Sequence, residues 1–493
     1  MLLKLQNGSD IRGVAIETKE SKISLSPENC ALISSGFVKL LKEKTGRENL
    51  KIAVGMDSRL SGPGLKSALA QSLAKMGCFV LDCGMATTPA MFMACVPEGY
   101  DCDGSIMVTA SHLPYYYNGM KFFSKSGGCE ALDIKYILEN SSPPEPKNGG
   151  KIQNADLIGV YSDFLIDLIR AGINSPEDYE RPLAGFKIAV DAGNGAGGFF
   201  AEKVLARLGA DVSASQFLSP DGNFPNHMPN PENAGAMRSI REATVKGGAD
   251  LGIIFDTDVD RSAIVGKSGR EINRNALIAL SAAIVLEENP GGVIVTDSVT
   301  SAGLPLFIAG LGGKHRRFKR GYRNVIGEAI RLNREGISAP LAIETSGHAA
   351  LRENYFLDDG AYLSAKIIIK AARLRREVKT VEDLLSDLKQ PLETKNLRLK
   401  ISAENFKACG DQVLAGLGEF VKTAEGWSAE GENYEGLRVN CEEDFGNGWF
   451  LLRLSLHEPL MPLDIESDSP GGCDYIAGRL RSFLGGYKFL QRF

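Results

Sequence analysis

No stretch of this chain approaches the ~20 consecutive apolar residues that a membrane-crossing helix needs, and neither charge sign is in strong surplus. The first absence argues against a membrane span. The second, a formal net charge of −5, argues against nucleic acid or an anionic membrane as a partner. Cysteine is sparse: nine scattered residues, an odd number, with no C-x-x-C pair, which is not a disulfide framework. No secretory leader precedes them, since Met1 opens directly into Leu2-Leu3-Lys4-Leu5. The expected address is the reducing cytoplasm, or an organelle stroma if a transit peptide has been removed. What is present is ordinary for a soluble protein, 43% hydrophobic and 24% charged residues, in a length that typical domain sizes divide into about three or four domains.

The segment Leu50-Lys51-Ile52-Ala53-Val54-Gly55-Met56-Asp57-Ser58-Arg59 reads as a buried strand ending in a polar loop. Gly64 to Met76 has helical apolar spacing, and Phe79-Val80-Leu81-Asp82 is the next strand. Strand, loop, helix, strand is the pattern of a parallel sheet with crossover helices. It restarts at Phe186-Lys187-Ile188-Ala189-Val190-Asp191 and again at Gly292-Val293-Ile294-Val295-Thr296-Asp297. Residues 140–150 have the clearest linker composition. Gln390-Pro391-Leu392 marks a hinge before a small α+β region.

Chemistry-bearing residues gather where apolar runs end. Gly104-Ser105-Ile106-Met107-Val108 leads into Thr109-Ala110-Ser111-His112-Leu113-Pro114, where Pro114 stops regular structure and Ala110 leaves the Ser111 hydroxyl accessible. A serine hydroxyl is a weak nucleophile that needs an electrophile such as a phosphoryl group, with a metal or base nearby. Taken alone, the same turn fits hydroxyls that merely satisfy backbone groups. Lys121 starts the next extended segment near the same opening, and Arg12 sits in a glycine-bracketed loop from which it can reach a cleft.

The apolar run Ala249 to Phe255 ends in Asp256-Thr257-Asp258-Val259-Asp260-Arg261. Its three carboxylates share one face of a continuing strand, or converge if the backbone curls into a loop. Without a cation they repel, and oxygen-only ligands favour Mg²⁺ or a relative over zinc. An EF-hand is excluded, because its sixth-position glycine is Arg261 and its twelfth-position glutamate is Lys267. Gly193, Gly195 and Gly198 match a dinucleotide fingerprint, but the next expected strand, Asp211 to Phe217, has no acidic residue at its far end for a ribose. Tight strand-to-helix packing explains those glycines better. The basic patch Lys314 to Arg323 reads as a phosphate site or a solvated face. Glu344-Thr345-Ser346-Gly347-His348 offers partners for vicinal sugar hydroxyls and an imidazole for proton transfer. Arg453 and Ser455 together make an anion grip.

In this order T-A-S-H-x-P, D-x-D-x-D-R, E-x-S-G-H and R-x-S-x-x-E-P, together with Asp10-Ile11-Arg12-Gly13 and Val190 to Gly195, resemble the α-D-phosphohexomutase superfamily over nearly the whole chain. The resemblance implies an α/β fold of three related α/β domains with mixed sheets plus a smaller C-terminal α+β domain, heart-shaped around a central cleft. The expected domains are 1–150, 151–270, 271–388 and 389–493. It implies interconversion of hexose 1-phosphate and hexose 6-phosphate, glucose or mannose, through a phosphoserine and a bisphosphorylated sugar. Mg²⁺ and a hexose 1,6-bisphosphate activator are implied, with a phosphorylated hexose as partner and a monomer or homodimer as the assembly.

Carried over by position, Ser111 is the phosphorylated serine with His112 beside it, and Asp256, Asp258 and Asp260 bind Mg²⁺ together with a phosphoserine oxygen. Arg12, Lys121 and His348 serve proton transfer and charge stabilisation. Glu344 and Ser346 read sugar hydroxyls, and Gly321 and Tyr322 lie in the third-domain loop. Arg261, Arg453, Ser455 and His457 complete the substrate contacts. Two positions depart from the pattern: Leu456-His457 replaces Gly-Thr in the phosphate loop, and Tyr322 stands where many relatives place His. The alternatives are therefore a phosphoglucosamine mutase, or a phosphotransferase forming a hexose bisphosphate with weak mutase activity.

Overall fold

The computed structural model describes residues 2–455 and 458–491. The chain forms two compact units: Met1–Asn273 with Ser346–Leu384, and Arg274–Thr345 with Leu385–Phe493.

The first unit opens on an eight-stranded mixed sheet. Strands Gly104–Val108, Lys51–Met56, Phe79–Met85 and Lys151–Asn154 run parallel, and the innermost read as near-continuous apolar runs because helices cover them. The edge strand Lys151–Asn154 carries this sheet past the linker. Strand Tyr117–Ser124 returns antiparallel to Gly104–Val108 and pairs on its other side with Asp10–Val14. The serine loop is thus the connection of a hairpin, and Arg12 lies opposite Gly119. Glycine is required there, because a Cβ on Gly119 would stand 2.1 Å from the Ile11 carbonyl oxygen. Helix Pro27–Thr45 starts on a Ser26 cap with Pro27 in its first turn, and ends at the left-handed Gly46.

A four-stranded sheet follows, in which Ile188–Asp191 runs parallel to Leu251–Phe255 and the latter turns antiparallel into Ser262–Gly266. Residues 256–261 are that turn, so the carboxylates converge by curling. The expected strand Asp211 to Phe217 is reduced to two isolated bridges, Lys187 with Asp211 and Asp191 with Gln216. Side-chain bonds displace the ladder: Asp211 accepts the nearby Ser213 N–H at 2.9 Å, and Ser215 Oγ takes the place of a ladder carbonyl by accepting the Val190 N–H of the neighbouring strand at 3.0 Å. Helix Gly360–Arg376 packs on helix Leu157–Ile173. Its Asp359 cap accepts the Tyr362 N–H at 2.9 Å and the buried Tyr161 hydroxyl at 2.7 Å.

In the second unit, strands Lys314–Arg317, Val293–Thr296 and Leu341–Ile343 are parallel, with helix Tyr322–Arg334 joining the first to the last. A five-stranded antiparallel sheet, ordered Glu393–Lys400, Leu460–Ser467, Gly448–Leu452, Leu437–Cys441, Trp427–Ala429, forms the C-terminal α+β region. Its apolar face is covered by helices Phe406–Thr423 and Gly472–Leu484.

Candidate active site

Ser111 is held in a left-handed backbone conformation, φ +49°, which few residues other than glycine and asparagine adopt readily. The surroundings enforce it. Its N–H donates to Thr109 Oγ1 at 2.9 Å, and Thr109 Oγ1 donates in turn to Asp57 at 2.7 Å. The guanidinium of Arg59, wholly buried, donates to the backbone carbonyls of Ser111, Leu113, Pro114 and Tyr117 at 2.5–3.0 Å. One planar fork therefore holds the loop from beneath, and Asp57 pairs with the Arg59 charge at 3.3 Å.

The Ser111 hydroxyl donates to Asp256 Oδ2 at 2.9 Å, and Arg261 Nη2 lies 3.4 Å from Ser111 Oγ. Arg261 is itself buried; it donates to Asp256 Oδ2 at 3.1 and 3.3 Å, to Asn230 Oδ1 at 3.1 Å and to His112 Nδ1 at 2.9 Å. Accepting at Nδ1 fixes His112 as the Nε2–H tautomer.

Asp256, Asp258 and Asp260 are buried, and their ligand atoms lie within 4.8 Å of one another. Val259 between them has φ +65°, a strained conformation for a β-branched residue and a frequent mark of functional loops. Lys121 Nζ contacts Asp258 at 3.0 Å and also Asp260, while Thr88 Oγ1 donates to Asp258 Oδ2 at 2.5 Å. Oδ1 of Asp258 and Oδ1 of Asp260 take no hydrogen bond from any described residue. Two buried carboxylate oxygens without donors, aimed into an all-oxygen cluster, fit a hard divalent cation. Burial, then the Asp260 charge, pushes the Asp256 carboxyl well above its usual range. Burial also works to raise Asp260, but Lys121, His348 and Arg261 outweigh it and hold that carboxyl low.

His348 pairs through Nδ1 with Asp358. Burial lowers its pKa, but the Asp358 and Asp260 charges prevail and raise it to about 9, so the imidazole carries a proton at neutral pH. Arg12 pairs with Asp10 at 2.8 Å, and Ser346 is buried.

In the second unit, Gly321 (φ +110°) donates its N–H to Glu344 Oε1 at 2.6 Å. Thr345 donates its N–H and hydroxyl to buried Asp297 at 3.3 and 2.6 Å. Tyr322 opens its helix with the Arg323 guanidinium 5.2 Å from the ring centre. Arg453 Nε lies 3.4 Å from Glu435, and Ser455 Oγ accepts the Glu458 N–H at 3.2 Å. His457, with Leu456, lies outside the described residues.

Profiles for the phosphoglucomutase/phosphomannomutase alpha/beta/alpha domains I, II and III match residues 3–141, 164–269 and 273–391 in order. The chain belongs to the phosphoglucomutase/phosphomannomutase family. It is 32% identical over 441 residues to a phosphoglucomutase of Neisseria gonorrhoeae, covering 88% of each chain. To a phosphomannomutase/phosphoglucomutase of Pseudomonas syringae pv. tomato it is 30% identical over 474 residues, covering 95% of this chain and 92% of that protein. The crystal structure of a family protein from Burkholderia thailandensis matches 98% of this chain with a TM-score of 0.78 at 28% identity.

Within the basic patch from Lys314, two guanidiniums are taken up by carboxylates. Arg316 pairs with Glu328 and Glu432, and Arg317 with Glu430. The glycine fingerprint serves packing, since a Cβ on Gly198 would stand 2.3 Å from the Leu218 carbonyl and one on Gly195 2.7 Å from that of Thr257. Sequence reasoning missed Arg59, Asp57, Thr88, Asn230 and Asp358. Asp57-Ser58-Arg59 closing an apolar strand was a usable signal, and so was the proline-fixed loop around Asn230; Thr88 and Asp358 carried none. Among the described residues no helix is long and apolar enough to cross a membrane.

Proposed function

We propose that this phosphohexomutase, an isomerase-class phosphotransferase, moves a phosphoryl group between the 1- and 6-hydroxyls of glucose or mannose phosphates. The observation that carries the reading is the Ser111 hydroxyl, 2.9 Å from Asp256 in a buried carboxylate cluster and 3.4 Å from Arg261. In the first half-reaction the bond between phosphorus and Ser111 Oγ breaks as the sugar hydroxyl oxygen attacks phosphorus; in the second, Ser111 Oγ attacks and the bond between phosphorus and the sugar oxygen breaks. Arg12, Lys121 and His348 are the groups for proton transfer and charge stabilisation at the sugar hydroxyl; the one that takes its proton does so from its deprotonated form, so His348 must first give up the proton it holds at neutral pH. The resulting hexose 1,6-bisphosphate turns around, and its other phosphoryl group returns to Ser111 Oγ. The same bisphosphate primes the enzyme as activator.

Asp256, Asp258 and Asp260, with an oxygen on Ser111, are the residues that would hold Mg²⁺. When bound, that ion supplies charge neutralisation at the transferring phosphoryl oxygens. Arg261 and Lys121 add fixed positive charge, and His348 donates or holds a proton. Glu344 and Ser346 read the sugar hydroxyls beside Gly321 and Tyr322, and Arg453 and Ser455 hold the phosphate that is not reacting. The division into 1–150, 151–270, 271–388 and 389–493 assigns these roles to four domains in turn. A cytoplasmic monomer or homodimer fits this chemistry.

The test is mutase turnover with Mg²⁺ on glucose 1-phosphate, mannose 1-phosphate and glucosamine 1-phosphate, each with a trace of its bisphosphate and a Ser111→Ala control. Turnover that vanishes in the control is expected. Bisphosphate accumulation without isomerisation would favour the phosphotransferase reading that Leu456-His457 suggests.

A further inference from the structure

The loop ahead of helix Tyr322–Arg334 already holds an anion. Glu435 Oε2 accepts the Arg320 N–H at 2.7 Å, and Glu435 Oε1 accepts the Ser298 hydroxyl at 3.0 Å while lying 3.4 Å from Arg453 Nε. A backbone N–H, a hydroxyl and a guanidinium converging on one oxyanion are a donor set suited to a phosphate group. The occupant is not forced there by burial, since its side chain keeps 20% of its exposure and that of Arg453 16%. Arg453 Nε makes no hydrogen bond with a described residue. The contact is therefore an ion pair, and among the described residues the Nε hydrogen has no acceptor.

We propose that Glu435 is an internal competitor of the substrate's non-reacting phosphate, a carboxylate occupying phosphate donors until the sugar phosphate displaces it. The proposal rests on the reading of Arg453 and Ser455 as phosphate holders. A phosphate drawn to Arg453 meets the Glu435 charge at close range, and like charges so near cannot share the site without cost. The backbone next to Glu435 is pinned. Gly436 has φ +62°, and a Cβ there would stand 2.2 Å from the Leu452 carbonyl oxygen. Displacement is thus a swing of the Glu435 side chain, with the loop left in place. The carboxylate keeps phosphate affinity below what the donors alone would give, and it can retake them when the bisphosphate lets go. Glu435 in this role sets binding and takes no part in bond making.

The experiment is calorimetric titration of inorganic phosphate into the wild-type chain, Glu435→Gln, Arg453→Ala and the double variant, without sugar or turnover. Glu435→Gln keeps the side chain's shape and an acceptor oxygen while removing the charge. It is expected to tighten phosphate binding roughly threefold to tenfold, the worth of one partly exposed charge pair. Arg453→Ala in the same background should erase the gain. Unchanged or weaker binding in Glu435→Gln overturns the proposal, and so does a gain that survives Arg453→Ala. Because the readout is binding alone, a wild-type chain with no mutase turnover but the expected phosphate gain would count against the proposed reaction and leave this inference standing.

Discussion

Lys121 is the residue on which the charge balance of the carboxylate cluster turns. Its ammonium contacts Asp258 and Asp260, both fully buried, so removing it leaves carboxylates in low dielectric without that counter-charge. Lys121→Met is expected to destabilise the metal-free protein by about 3–5 kcal/mol, the usual result of breaking a buried pair. Mg²⁺ should restore more stability to the variant than it adds to the wild type, because a cation replaces the lost charge. Thermal unfolding of both proteins with Mg²⁺ and with a chelator checks this; equal Mg²⁺ shifts would sink it. The three aspartates were legible in the sequence as a candidate metal site because like charges at alternate positions lack an easy structural explanation, whereas the Ser111 turn, which also fits hydroxyls that satisfy backbone groups, stood out only within the ordered set of motifs. Asp358 was not legible, because an acid outside any motif shows its purpose only when His348 is found beside it.

Among the elements, the serine loop depends on an anchor far from it in sequence. Arg59 satisfies carbonyls of four loop residues, a pattern that a lysine, being a point charge, cannot reproduce. Arg59→Lys should therefore cost kcat at least tenfold with the fold retained, measured by steady-state kinetics alongside circular dichroism. Undiminished kcat would mean that the loop holds its shape unaided. Helix Gly360–Arg376 carries a pH signature at its cap. Burial, only partly opposed by the Tyr161 hydroxyl, the Tyr362 N–H and Asn354, raises the Asp359 carboxyl from 3.8 to about 6. The folded state thus holds the proton more tightly than the unfolded chain. The stability linked to this group is fully present below pH 3.8 and is lost as pH rises through about 6. Asp359→Asn, which never ionises, should gain stability relative to wild type between pH 4.5 and 7.5, as read from urea unfolding at both pH values. A constant difference between the two proteins would contradict the assignment. Strands and helices of the α/β repeats were readable from periodicity, whereas Asp211 to Phe217 failed as a strand because its aspartate and serine side chains took backbone N–H groups in place of ladder carbonyls.

For the whole molecule, the division into two units separates the candidate ligands. Ser111 and the three aspartates belong to the first, and Arg453, Ser455, Glu344 and Gly321 to the second. Added singly, Mg²⁺ is expected to slow amide hydrogen exchange around Ser111 and residues 256–261, and inorganic phosphate to slow it around Ser298, Gly321 and Arg453. Mass-spectrometric exchange with each ligand checks this, and protection by Mg²⁺ confined to the second unit would refute the metal assignment.

The family, the repeated α/β plan and the acidic run were legible in the sequence, and Ser111 stood out there as a candidate nucleophile, since each is written in contiguous residues. Only the tertiary structure decided which distant side chains complete them. Arg59 beneath the serine loop and Lys121 against the aspartates are pairings across long stretches of chain, and Asp358 behind His348 and Glu435 beside Arg453 are nearer pairs that only folding brings into contact. Local propensity and spacing carry no record of such contacts, which exist only once the chain has closed around them.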